Sequence, residues 1–129
     1  MKYVMSPPLR EAANQDVMWN ALRSGLVSTV ATDHAPFDYH RQKLALGTDD
    51  FTKIPNGIPA LEDRVNLLYT YGVKGGRMDL RTFVATASTN AAKLFGLFPR
   101  KGSLSIGADA DLVIYNPDYR GNLSVRTQT

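Results

Sequence analysis

The chain has 129 residues, the size of one ordinary domain and too short for two cores of normal size. Its 43% apolar and 21% charged residues disfavour wholesale disorder, and a scattered net charge of +3 offers no basic block for binding nucleic acid. Cysteine is absent, which removes disulfides, thiolate metal sites and cysteine nucleophiles, and no membrane span or secretory leader is visible, so the chain reads as soluble and cytoplasmic.

Tyr3-Val4-Met5 reads as a short strand halted by Ser6-Pro7-Pro8, since proline cannot donate to a ladder and restricts the residue before it. From residue 9 to 23 the pattern turns helical. Val17, Met18, Trp19, Ala21 and Leu22 form an apolar stripe, Glu11, Asn14, Asp16 and Asn20 face water, and Ser24-Gly25 supplies the stop. Residues 26–32 are rich in β-branched side chains and nearly unbroken in apolar character, which predicts a strand covered on both faces, as in a parallel sheet. The run ends in Thr32-Asp33-His34-Ala35-Pro36, placing titratable groups at the C-terminal end of a buried strand.

Residues 37–59 show no clean period and contain the turn signal Pro55-Asn56-Gly57, so a long functional loop is expected there. A helix is predicted over 60–71. Asp79 is a plausible N-cap for a helix over 80–87, and Ser88-Thr89-Asn90 for a last helix over 91–97. Past Pro99 the character changes. Strands are predicted over 103–106 and 111–115, separate from the preceding βα units. Two βα units are too few to close a sheet of their own, which points to the last part of a larger α/β chain.

Asp33 is the sharpest candidate for chemistry, because a carboxylate at the C-terminal end of a buried parallel strand is where barrel enzymes place catalytic groups. The same Asp-His before a proline also suits an Asx-type turn that satisfies backbone donors as the strand ends. His40, between Tyr39 and Arg41, reads as exposed, and with His34 and Asp33 it falls short of a closed zinc site. Gly75-Gly76-Arg77 lacks both the preceding strand and the Lys-Ser/Thr of a phosphate loop, and no G-x-S-x-G elbow occurs. Ser6 and Asn56 lie in proline-containing loops that can hold C=O and N–H groups toward a planar amide ligand, or that serve only as turns. Trp19 reads as core.

Several motifs in fixed order resemble the hydantoinase/dihydropyrimidinase family of the amidohydrolase superfamily. They are Met5-Ser6-Pro7-Pro8-Leu9-Arg10, Ala31-Thr32-Asp33-His34-Ala35-Pro36-Phe37, and Asp50-Phe51-Thr52-Lys53-Ile54-Pro55-Asn56-Gly57. Ser88-Thr89-Asn90-Ala91-Ala92-Lys93-Leu94-Phe95-Gly96-Leu97, Lys101-Gly102-Ser103 and Gly107-Ala108-Asp109-Ala110-Asp111-Leu112-Val113-Ile114 continue the series over almost the whole chain. The resemblance implies a metal-bearing (β/α)8 barrel with a small β-sandwich domain. Residues 1–99 would be the C-terminal βα units of the barrel, and residues 100–129 strands returning to the sandwich. It implies hydrolysis of cyclic amides, hydantoins or dihydropyrimidines, by a metal-bound hydroxide.

On that resemblance Asp33 is a metal ligand that also serves as general base, while Ser6 and Asn56 match contacts to the cyclic substrate through the backbone. Two zinc ions are implied, together with a homo-oligomer of tetrameric type. One departure stands out. The family's His-x-His pair, carboxylated lysine and two further histidines have no counterpart here, and His34 is not one of the family's ligands. The chain therefore resembles the C-terminal quarter of a full-length enzyme, inactive by itself. The alternative is a non-catalytic remnant or interaction protein of the same family.

Overall fold

Helices supply all the regular structure of residues 1–124, the part of the chain described by the computed structural model. Helix α1, Asn14–Arg23, carries Asp16 in its first turn and Arg23 in its last, signs that suit the helix dipole. It starts later than the apolar pattern predicts. The lead-in is spent on turn bonds from Asn14 N–H to Glu11 C=O and from Gln15 N–H to Ala12 C=O.

Helix α2, residues 39–47, lies inside the stretch expected to be loop. It is a widened π turn, Tyr39–Leu44, running into a short α turn, Ala45–Gly47. Asp38 explains its start. Its carboxylate accepts the Arg41 N–H at 2.6 Å, and the Gln42 side-chain oxygen accepts the Asp38 N–H at 2.6 Å. The two bonds cap each other's donors in the manner of a capping box. The Lys43 N–H then reaches five residues back to the Asp38 carbonyl at 3.1 Å, a spacing wider than the 3.6-residue period of an α-helix. A single 3-10 turn, Phe51–Lys53, follows, with Asp50 as its cap.

Helix α3, residues 63–74, joins an α turn, Asp63–Leu67, to a π segment, Leu68–Lys74. Helix α4, residues 80–94, is continuous through a π segment, Ala85–Thr89. Asp79 is its cap, as predicted, accepting the Thr82 N–H at 2.7 Å. The predicted break at Ser88-Thr89-Asn90 does not occur. Thr89 keeps helical dihedrals and makes no capping bond; its hydroxyl instead donates to the Gly102 carbonyl at 2.8 Å. The helix stops at Leu94, with Gly96 at φ +68 just beyond.

The core lies where α1, α3 and α4 meet. Leu22, Leu68, Met78 and Phe83 are buried there, with Trp19, Val27, Val30, Val65, Tyr69 and Val73 packed against them. Trp19, expected in the core, is half-buried against it, with the Arg77 guanidinium over its ring. The core is small for the chain. The accessible surface is 10109 Å², whereas a folded monomer of 14.2 kDa is expected to expose about 6,800 Å². Val17, Leu26, Leu104, Ile106, Val113 and Ile114 are all exposed.

None of the four predicted strands forms a ladder among the described residues. A ladder needs a neighbouring strand, and for the 26–32 run helices and side chains supply the partners instead. Behind the 26–32 run, Val30 N–H donates to the Thr86 carbonyl at 3.2 Å. The Asn90 amide donates to the Ser28 carbonyl at 2.8 Å, and the Arg64 guanidinium to the Val30 carbonyl at 3.1 Å. Only Val27 and Val30 of that run reach the core, so it is covered on one side. No helix among the described residues is long and apolar enough to cross a membrane.

Candidate functional site

Three loops carry the residues singled out from sequence: Ser6 after the first segment, Asp33 after the 26–32 run, and Asn56 after the 3-10 turn. Backbone hydrogen bonds join them. Gly57 N–H, next to Asn56, donates to the Val4 carbonyl at 3.2 Å, and Ala35 N–H, two residues past Asp33, donates to the Ile58 carbonyl at 3.2 Å. The Asn56 loop therefore sits between the other two and is pinned to both.

Gly57 makes this close approach possible. Its φ of +151 is one that side-chain-bearing residues rarely adopt. A Cβ there would stand 2.5 Å from the Ala35 Cβ and 2.6 Å from its carbonyl oxygen. The Pro55-Asn56-Gly57 turn signal found the position but not this packing demand.

Asp33 has φ +46, the only positive φ at a non-glycine among the described residues. Aspartate tolerates the left-handed region better than most, and such residues cluster where the surrounding structure dictates geometry for function. The Asx-type turn is not formed. The Ala35 N–H that it would use goes to Ile58, and the Asp33 carboxylate makes no hydrogen bond or ion pair among the described residues. Asp33, Ser6 and Asn56 are all exposed.

His34 plays a different part from its neighbour. Its Nδ1 accepts the N–H groups of Ala60 and Leu61, each at 3.1 Å, which puts the ring proton on Nε2 and ties the Asp33 loop to the lead-in of α3. His40 is exposed and meets only the edge of Tyr39 in its ring contacts. Asp50 sets the entry to the Asn56 loop. The Thr52 hydroxyl and N–H bond its carboxylate and hold its pKa below the usual aspartate range.

Sequence reading passed over Lys43. It is 3% exposed, and its ammonium donates to the Val4 carbonyl at 2.7 Å, the same oxygen that Gly57 uses. No periodicity marks it, because it lies in the widened turn of α2.

The chemistry of the donors limits what metal this chain could hold. Among the described residues no group of three His, Cys, Asp or Glu side chains converges. Asp33 offers a single carboxylate, which does not amount to a metal centre.

The amidohydrolase family profile matches residues 6–128. A D-hydantoinase of Geobacillus stearothermophilus is 55% identical over 126 residues, covering 98% of this chain and 26% of that protein. The dihydropyrimidinase of Rattus norvegicus is 44% identical over 126 residues, covering 97% and 24% respectively. The solved D-hydantoinase (dihydropyrimidinase) from Thermus sp. superposes with a TM-score of 0.93 at 66% identity, over 98% of this chain and 27% of that one. The chain belongs to the amidohydrolase family, and within that superfamily to the hydantoinase/dihydropyrimidinase group. Family and solved neighbours imply a TIM-barrel fold, and the chain spans about a quarter of the length of the relatives it matches.

Proposed function

We propose that this chain is the C-terminal portion of a cyclic-amide hydrolase that opens hydantoins or dihydropyrimidines, with Asp33, Ser6 and Asn56 as its contribution to the active site. The observation that carries the proposal is the pinning of the Ser6, Asp33 and Asn56 loops to one another through Val4, Gly57, Ala35 and Ile58. Asp33 projects from a left-handed backbone conformation with its carboxylate unpartnered among the described residues, a state suited to accepting a proton or binding a cation. Backbone groups of the Ser6 and Asn56 loops would hold the planar amide ring and leave its substituent free, since main-chain donors and acceptors read the ring and not the side group.

Zinc would supply Lewis-acid activation of water when bound, with Asp33 as one ligand and the others from outside these residues. The surface excess of the isolated chain supports membership of a larger folded body. Residues 1–99 would then be barrel units and residues 100–129, of which 125–129 lie outside the described residues, part of the small β-sandwich domain. A homo-oligomer, tetrameric by family resemblance, completes the proposal.

The test is the intact mass of the native gene product, followed by zinc analysis and assays on hydantoin and dihydrouracil. A mass several times 14.2 kDa with turnover of either ring supports the hydrolase. A mass at 14.2 kDa without turnover overturns it in favour of a non-catalytic remnant.

A further inference from the structure

Lys43 is a buried ammonium with little to pay for its burial. Among the described residues it has no carboxylate partner; its ammonium bonds the Val4 carbonyl at 2.7 Å and lies over the Phe37 ring, 5.9 Å from the centroid. A buried charge so sparsely paired is costly, and an apolar side chain of similar length would fill the space at lower free energy. What the ammonium does, and a methionine would not, is hold the Val4 carbonyl.

That carbonyl is where two of the three loops meet. Val4 lies two residues before Ser6, and its oxygen also accepts the Gly57 N–H, next to Asn56, at 3.2 Å. Phe37, under the ammonium, belongs to the segment that follows Asp33, and its Cε2 stands 3.1 Å from where a Gly57 Cβ would be. One side chain from α2 therefore touches the segments flanking Ser6 and Asp33, and it shares its acceptor with Gly57, next to Asn56.

We propose that Lys43 is a positioning residue for ring binding, its ammonium setting the spacing between the Ser6 loop and the Asn56 loop. The inference rests on the cyclic-amide reading above. It goes beyond it in naming a residue that acts through the loops without touching the ring. Its role is in binding, so its loss raises KM and leaves the chemical step alone.

The experiment is steady-state kinetics on hydantoin and dihydrouracil with the complete protein, comparing wild type, Lys43→Met and Phe37→Leu, each with a thermal melt. Lys43→Met raises KM about tenfold with kcat within about twofold, as loss of a charge-assisted bond used in uniform binding requires. Its Tm is unchanged or higher, because the uncompensated charge is gone. A lower Tm with an unchanged KM overturns the proposal, since that is the signature of a merely structural lysine. Where Lys43→Met does not accumulate as folded protein, Phe37→Leu decides. A KM raised about threefold at constant kcat supports the proposal, and an unchanged KM overturns it. Absence of turnover by the wild type removes the cyclic-amide reading and this inference together. Wild-type turnover with an unaltered KM in the variants removes only the role of Lys43.

Discussion

The helical core and the loop cluster are held together by different forces. Leu22, Leu68, Met78 and Phe83 hold the core by apolar burial, which is non-directional and tolerates small shifts of position. The loops around Ser6, Asp33 and Asn56 are held by single backbone bonds, one imidazole, one buried ammonium and one glycine whose replacement forces its neighbours to shift. Burial stabilises a region without fixing it to a fraction of an ångström, whereas directional bonds fix geometry and add little stability each. Damage to the core should therefore appear as lost stability, and damage to the loops as lost activity.

The largest effect expected on the loop side is that of Asp33→Asn in the complete protein. Turnover falls about 10²- to 10⁴-fold, the range for removing a general base, with little change in Tm. Near-normal turnover in steady-state assays would remove Asp33 from the catalytic role proposed for it. The opposite split is expected of Phe83→Ala, which empties the centre of the core and costs about 3–5 kcal/mol in denaturant unfolding while kcat per folded molecule holds. A loss of kcat at intact stability would break the comparison.

Gly57→Ala sharpens the comparison. The new methyl group meets the Ala35 Cβ at 2.5 Å and the Ala35 oxygen at 2.6 Å, both on the backbone or close to it, so the loop must move. Activity drops about tenfold or more, as misplacement near a site does, with a smaller fall in Tm than for Phe83→Ala.

The smallest effect is acid sensitivity. Backbone and hydroxyl bonds from Thr82 hold Asp79 below the usual aspartate range, and bonds from Thr52 do the same for Asp50. A folded-state pKa below the unfolded one means that the contribution is present above the unfolded value and is lost as pH falls through the folded one. Stability should therefore decline modestly only below the ordinary aspartate range, and Asp79→Asn and Asp50→Asn should each flatten that decline in pH-dependent melts. Lys101 has the mirror-image behaviour. Its bonds to Asp111 and Asp109 raise its pKa, so its contribution is lost as pH rises beyond the ordinary lysine range.

A second contrast lies between the two strongest apolar runs, 26–32 and 111–115, both of strand-like composition. The first is held against α3 and α4 by Val27, Val30 and the side chains of Arg64 and Asn90. In the second, Leu112, Val113 and Ile114 are exposed, and Tyr115 alone packs inward, against Tyr69 at 4.7 Å. Burial there raises the Tyr115 pKa, with Tyr69 adding to the shift. β-Propensity describes how well a residue suits a pleated, half-buried surface, and the surface itself comes from elsewhere in the fold. The 129-residue chain by itself should accordingly self-associate, measurable by sedimentation, whereas a clean monomer with a cooperative melt would count against its being part of a larger fold.

Local chemistry was legible from the sequence because it depends on neighbours in the chain. The Asp79 cap, the helix around Val17 to Leu22, the core place of Trp19 and the turn at Pro55-Asn56-Gly57 are all of that kind. The order of motifs also identified the family, since several short segments in fixed sequence outweigh any single one. Other features depend on residues tens of positions apart. Tertiary structure alone decided that three loops converge on Val4 and Gly57, that Asp33 takes a left-handed backbone in place of an Asx turn, and that Lys43 is buried beneath them. It also decided that the 26–32 run finds helices and not strands as partners among the described residues. Hydrogen-bond partners and close approach are properties of the folded arrangement, and no local period or propensity encodes them.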